Sequence, residues 1–184
     1  AGYEIVLIET VGVGQSETLV ADMTDFFLLL MLAGAGDELQ GIKKGIMEMA
    51  DLIAITKADS GNENKAKLAR IDFANALHLF PASNSGWTPC ALTCSATQKI
   101  GLDQIWQKIL EHDQLTTANS WKEKNRKNQN IHWFRETIKQ QLESHFFEQE
   151  HIKKQVFKQE LAVSEGKIHA VSAAMELMEI YFGK

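Results

Sequence analysis

An α/β fold built on a parallel sheet flanked by helices is predicted by two features: apolar runs of strand length, and polar, helix-suited stretches between them. The runs are Ile5 to Ile8, Phe26 to Leu32, Leu52 to Ile55 and Ala91 to Thr93. Glu17 to Met23, Gln40 to Ala50, Glu63 to Leu79 and Leu102 to His112 suit helices. Such alternation predicts right-handed βαβ units, because a twisted strand and a right-handed crossover pack back onto the sheet in that hand.

Taken in order, Tyr3 to Glu9 has a buried-strand pattern that delivers Glu9 to its end. Phe26 to Ala33 is strongly apolar but far shorter than the roughly 20 residues that cross a bilayer, so it reads as a buried strand and no membrane span is expected. Asp51 reads as a turn residue rather than a ligand, and Trp87 as a surface or edge contact. Gly61, Pro81, Gly86 and Pro89 punctuate the later connections. After about Thr117 the strand signal stops. From Ser120 to Glu148, Trp121, Ile131, Phe134, Ile138, Leu142 and Phe146 mark one apolar helix face. A helix of about 28 residues extends roughly 42 Å, longer than a compact sheet layer needs, so part of it should project. Phe157, Leu161, Ile168, Val171, Met175, Met178 and Phe182 supply one or two shorter amphipathic helices, broken near Gly166. The expected organisation is an α/β domain over 1–117 and a helical region over 118–184.

Composition narrows the function classes. With 184 residues and 45% hydrophobic content, the chain has material for one substantial domain with an appendage. A net charge of -5 argues against a nucleic-acid surface, which needs a basic patch or stripe. Cys90 and Cys94 are the 2 cysteines, with no second pair to complete a zinc site; they read as core and fit a cytoplasmic address. His132, His145, His151 and His169 lack tight ligand spacing and read as solvated or capping residues.

The chemistry concentrates at strand ends, where ligands gather in open α/β sheets. Thr56-Lys57-Ala58-Asp59 follows the run Leu52 to Ile55. A carboxylate at Asp59 can accept from both N1-H and the 2-amino group of guanine, two donors that adenine does not pair in this way. Each such charge-assisted bond is worth roughly 1.5 to 3 kcal/mol. Taken alone, the four residues suit a plain surface turn equally well; their neighbours favour base reading. Glu9, at the first strand end, can hold a water of hydrated magnesium, which takes only one or two protein carboxylates besides phosphate oxygens. Gly12, lacking a Cβ, lets its backbone N-H approach a terminal phosphate, and Gln15 is a candidate for orienting the attacking water. Ser95-Ala96-Thr97 offers backbone N-H groups to guanine O6. Between a strand and a helix, Gly36, Asp37, Glu38, Gln40 and Lys43 lie in a glycine-rich segment able to change backbone and polar partners together.

The stretches ETVGVGQSE, AGAGDELQGIKKGIMEMADL, TKAD and TCSA resemble those of the MeaB/ArgK GTPases, the family of the methylmalonic aciduria type A protein, formerly named LAO/AO transport ATPases. The resemblance covers essentially the whole chain, with the tail after about Ser120 matched more by helical character than by distinctive residues. It implies a P-loop NTPase-type sheet, GTP or GDP with magnesium as ligands, and a GTP-hydrolysing chaperone or switch that guards or loads an adenosylcobalamin-dependent acyl-CoA mutase of the methylmalonyl-CoA type. It also implies that Gly36 to Lys43 act as an additional switch loop and that the C-terminal helices form a homodimerisation arm. One departure stands out: no Gly-x-x-x-x-Gly-Lys-Ser/Thr occurs, and Gly34-Ala35-Gly36 lacks the Lys-Ser/Thr that would hold phosphates. The expectation is therefore a C-terminal portion without the phosphate loop, inactive by itself. A dimerisation and docking fragment without nucleotide chemistry, or a nucleotide-dependent kinase or ATPase coupled to basic amino-acid transport, are the alternative readings.

Overall fold

The computed structural model describes residues 2–10, 16–32 and 44–183. Three parallel strands, β1 (Leu28–Leu32), β2 (Leu52–Thr56) and β3 (Cys90–Thr93), form one sheet in that order. Leu28 pairs with Leu52 and Leu32 with Thr56; Leu52 pairs in turn with Cys90 and Ile55 with Thr93. Parallel neighbours need long crossovers. The described helices of the α/β part are α1 (Ser16–Ala21), α2 (Lys44–Met49), α3 (Glu63–Leu77) and α4 (Leu102–Ala118). Helices α2 and α3 provide the crossovers, and the alternation read in the sequence is reproduced from Phe26 onward. The chain divides into two compact units, Ala1–Gln129 and Asn130–Lys184.

Strand β2 is apolar throughout because both its faces are covered; Leu52, Ile53, Ala54 and Ile55 are each 0% exposed. Ile53 and Ile55 join Leu29, Met47, Ala66, Phe73, Leu77 and Ala91 in a core beneath α2 and α3. Leu52 and Ala54 face the opposite way, against Cys94 and Ile105 at the start of α4, with Phe26, Leu28 and Ile109 packed around them. Burial of one Leu or Ile side chain contributes about 1.5–3 kcal/mol, which makes β2 the apolar centre of the unit.

Two expectations need correction. Ile5 to Ile8 forms no strand: residues 2–10 run outside the sheet, with Leu7 88% exposed. An apolar run becomes a strand only where a neighbour supplies a ladder, and none of the described residues pairs with this one. Strand β1 is buried on one face only. Leu29 belongs to the core, whereas on the other face Leu28 packs beside the cluster that includes Ile105 of α4, and Leu30 and Leu32 are 60% and 47% exposed.

At the entry to β2, Asp51 is more than a turn residue. Its Oδ2 accepts from Phe27 N at 2.9 Å, its own N-H donates to Phe27 O at 3.0 Å, and its carbonyl accepts Trp87 Nε1 at 2.9 Å. Oδ1 lies 3.6 Å from Nε2 of His112, a buried imidazole on α4 whose ring meets the edges of Phe26, Trp87 and Trp121 at centroid distances of 5.0, 5.3 and 6.4 Å. Trp87 is thus a half-buried packing and hydrogen-bonding residue. Trp121, expected on the projecting apolar face, is turned toward His112 instead.

The second unit begins at Asn130 within α5 (Trp121–Glu148) and continues through α6 (Glu150–Ser164) and α7 (Ala170–Phe182). The predicted break is present: Gly166, with φ 70°, ends a turn in which Lys167 N donates to Ala162 O at 2.9 Å. Ile152 on α6 and Ala173 on α7 are the buried residues of these two helices. His145 Nδ1 lies 2.9 Å from Tyr181 Oη, so His145 joins α5 to α7 rather than being simply solvated.

Burial pushes the Asp51 carboxyl up to about 6 from its ordinary 3.8, with the Phe27 N-H bond opposing the shift. Its contribution to stability is therefore full below pH 3.8 and is lost as pH rises through 6. His112, pushed below 6.5 by burial, contributes fully above that pH and loses its contribution as pH falls. Asp51→Asn keeps an acceptor for Phe27 and removes only the Asp51 dependence. Urea unfolding should show the variant gaining on the wild type by about 1–3 kcal/mol between pH 4 and pH 7, and a pH-independent difference would contradict this account.

Candidate functional site at the ends of β2 and β3

The two central motifs meet because β2 and β3 are in register. Beyond the ladder, Cys94 N donates to Ile55 O at 2.8 Å and Ala58 N donates to Cys94 O at 3.0 Å, so pairing runs on into both loops. Thr56 Oγ1 donates to Met31 O at 2.9 Å, tying the end of β2 to β1. Lys57 is exposed and adopts φ 54°, a conformation that only a small fraction of non-glycine residues take up. Its carbonyl accepts Asn62 Nδ2 at 3.1 Å, and Asn62 N donates to Asp59 O at 2.9 Å. These bonds close Lys57 to Asn62 into a compact turn that holds Asp59 half-buried at the top of the sheet.

Opposite it, Ser95 is fully buried and its hydroxyl donates to Asp59 Oδ2. The same Oγ accepts Gln98 N at 3.0 Å, which leaves the hydroxyl proton directed at the carboxylate. Among the described residues Oδ1 of Asp59 takes no hydrogen bond, so one carboxylate oxygen is anchored and the other keeps its acceptor capacity. Ala96 and Thr97 are exposed on the same turn.

The structure corrects one detail of the Ser95 assignment. Its backbone N-H, expected to face guanine O6, instead donates to Ile100 O at 2.9 Å, while Ile100 N returns a bond to Ser95 O at 3.0 Å. Ser95 therefore acts through its hydroxyl, and the amides of Ala96 and Thr97 remain as the candidates for O6. Sequence reading also passed over Asn62 and Gly101, and read Cys94 only as core. Gly101, with φ 78°, begins α4 directly against the end of β3. A glycine two to six residues after a Ser-Ala turn is the signal that would have flagged it.

Thr56, Lys57, Asp59, Ser95, Ala96 and Thr97 thus come together. Glu9 does not join them: it is exposed in the segment outside the sheet, and no strand delivers it. Gly12, Gln15, Gly36, Asp37, Glu38, Gln40 and Lys43 lie outside the described residues. Among the described residues no three His, Cys, Asp or Glu side chains converge on a metal position. Magnesium bound through phosphate oxygens and waters does not require such a cluster, but the residues described do not form a site for it. No helix among them is long and apolar enough to cross a membrane.

Comparison with known proteins identifies the fold and the family. The solved structure titled crystal structure of LAO/AO transport system kinase superposes with a TM-score of 0.77 at 38% identity, covering 98% of this chain and 58% of that one. The sheet is thus of the P-loop NTPase type. GTPase ArgK of Escherichia coli is 41% identical over 97% of this chain and 54% of its own length. The mitochondrial methylmalonic aciduria type A homolog of Mus musculus is 37% identical over 98% of this chain and 43% of its own length. The chain spans about half the length of the curated relatives it matches. Residues 1–151 match the family described as methylmalonyl Co-A mutase-associated GTPase MeaB, and with more than half its length matched the chain belongs to that MeaB family.

Proposed function

We propose that the chain forms the base-reading and partner-facing portion of a GTP-binding, GTP-hydrolysing switch. The observation that carries this reading is the Asp59 carboxylate, held by Ser95 on one oxygen and open on the other, at the carboxyl end of a central parallel strand. Guanine presents N1-H and the 2-amino group side by side, and a carboxylate fixed in this way accepts both without first giving up its own freedom. Family membership supports GTP over other guanine-bearing ligands. In this reading Gly12 approaches the γ-phosphate, Gln15 orients water and Gly36 to Lys43 report nucleotide state to the partner; Glu9, which stands apart from Asp59 and Ser95 here, holds hydrated magnesium once the full-length protein gives the Ile5 to Ile8 run a ladder partner.

The partner we propose is an adenosylcobalamin-dependent mutase of the methylmalonyl-CoA type, which the switch would guard or load. Support comes from the family description and from the mouse relative. Cobalamin would belong to that enzyme. The helical unit supplies a second surface: Ile131, Phe134, Ile138 and Leu142 stand exposed along α5, and Phe157 and Met175 are 72% and 60% exposed on α6 and α7. Apolar area of this extent favours burial against a second copy, making the protein a homodimer.

In the full-length protein, Asp59→Asn should weaken GTP binding by about two orders of magnitude and shift preference toward XTP, since the amide can donate to the 2-oxo group of xanthine. Competition titrations with GTP, XTP and ATP measure this, and unchanged GTP selectivity would remove the base-reading role. Glu9→Ala should slow single-turnover GTP hydrolysis at least about tenfold while GDP affinity stays near wild type, because charge moves only in the transition state. A wild-type rate would assign Glu9 no part in catalysis. Phe134→Glu combined with Leu142→Glu should shift sedimentation from dimer to monomer at micromolar concentration; a persistent dimer would place the interface elsewhere.

A further inference from the structure

We propose that Gly101 is a positioning residue for base recognition, seating the Ser95–Ile100 turn on the end of β3 and so fixing the Asp59 carboxylate in its guanine-reading pose. The inference rests on the guanine reading given above. Gly101 has φ 78°, and a Cβ at this position would collide with the carbonyl oxygen of Thr93 and stand 3.2 and 3.3 Å from Cα and Cβ of Cys94. The obstacle is backbone, which cannot rotate aside as a side chain can. Both halves of the base-reading pair hang on the residue that would be displaced. Cys94 O accepts Ala58 N at 3.0 Å, one residue before Asp59, and Cys94 leads directly into Ser95, whose hydroxyl holds the Asp59 carboxylate.

The turn between Ser95 and Gly101 is closed on itself. The reciprocal Ser95–Ile100 backbone bonds and the Gln98 N to Ser95 Oγ bond leave it one way to sit, with Lys99 at φ 56° making the return. Gly101 then passes the chain into α4, where Ile105 N donates to its carbonyl at 3.2 Å. A turn closed on itself and seated against Thr93 and Cys94 by a residue without a side chain moves as one body when that approach is widened. A single methyl group at 101 would therefore shift donor and acceptor together.

The test compares GTP with ITP, which lacks only the 2-amino group, in competition binding to the full-length protein. Gly101→Ala is expected to cut the GTP-over-ITP preference by about tenfold, with ITP weakened less than GTP, because ITP has only N1-H to lose from the carboxylate while GTP loses N1-H and the 2-amino group. Lys99→Gly keeps the left-handed turn and leaves the ratio unchanged. Lys99→Val strains the same exposed turn without adding an atom beside Thr93, and lowers the ratio by about threefold. A folded Gly101→Ala protein with an unchanged ratio, or with GTP and ITP weakened equally, overturns the positioning role. Should that variant fail to fold, Lys99→Val decides, and an unchanged ratio there overturns it. Asp59→Asn separates the two readings: if it keeps the wild-type ratio the guanine reading itself falls, whereas a collapse in that variant beside an intact Gly101→Ala ratio sinks only the role of Gly101.

Discussion

Complete burial of β2 is the constraint on which the rest of the unit depends. With both faces covered, Leu52 to Ile55 cannot slip by one residue without exchanging two separate cores, so the register to β1 and β3 is determined by packing. That register decides what stands at each end of the strand. At one end it brings Asp51 beneath Phe27 and beside His112; at the other it brings Asp59 to Ser95. The stability of the sheet and the chemistry of its loops therefore share a cause.

How far the sequence could be read follows from where each signal resides. Strands β2 and β3, α3 and the length of α5 were legible because apolar runs, turn residues and helical periodicity are local properties. The meeting of Asp59 with Ser95 was legible as a pair of strand-end motifs. What escaped were the features set by a neighbour in space that carry no motif of their own. The apolar run Ile5 to Ile8 specifies a preference for burial but brings no ladder partner with it, and Leu30 and Leu32 of β1 remain exposed for want of cover. The backbone N-H of Ser95 is occupied because Ile100 returns to it, an event that depends on Lys99 and Gly101 adopting positive φ. His112 was hidden differently: Ile105, Ile109, His112 and Thr116 continue one helical stripe, and within such a stripe a histidine reads as one more core position.

The two ends of β2 use carboxylates in opposite ways. Asp51 is enclosed, its charge penalised by burial and its hydrogen bonds taken by the chain itself. Asp59 is half-buried, with one oxygen secured by a hydroxyl and the other taking no hydrogen bond among the described residues. An aspartate of the first kind holds a strand entry together; one of the second kind suits a ligand, because the protein has already limited its motion without consuming its acceptor capacity. The contrast explains why residue type alone could not rank the two, although they stand eight positions apart on the same strand and its loops.

The aromatic surroundings of His112 also have an optical consequence. Two of the chain's 4 tryptophans, Trp87 and Trp121, present their rings to this one imidazole from different segments. A protonated imidazole quenches indole emission much more strongly than a neutral one, so the fluorescence of these two residues reports the charge on His112 and the closure of the strand entry around it. The fold thus carries its own spectroscopic gauge at the end of β2 remote from the candidate site, one that reads the integrity of the sheet without any attached dye.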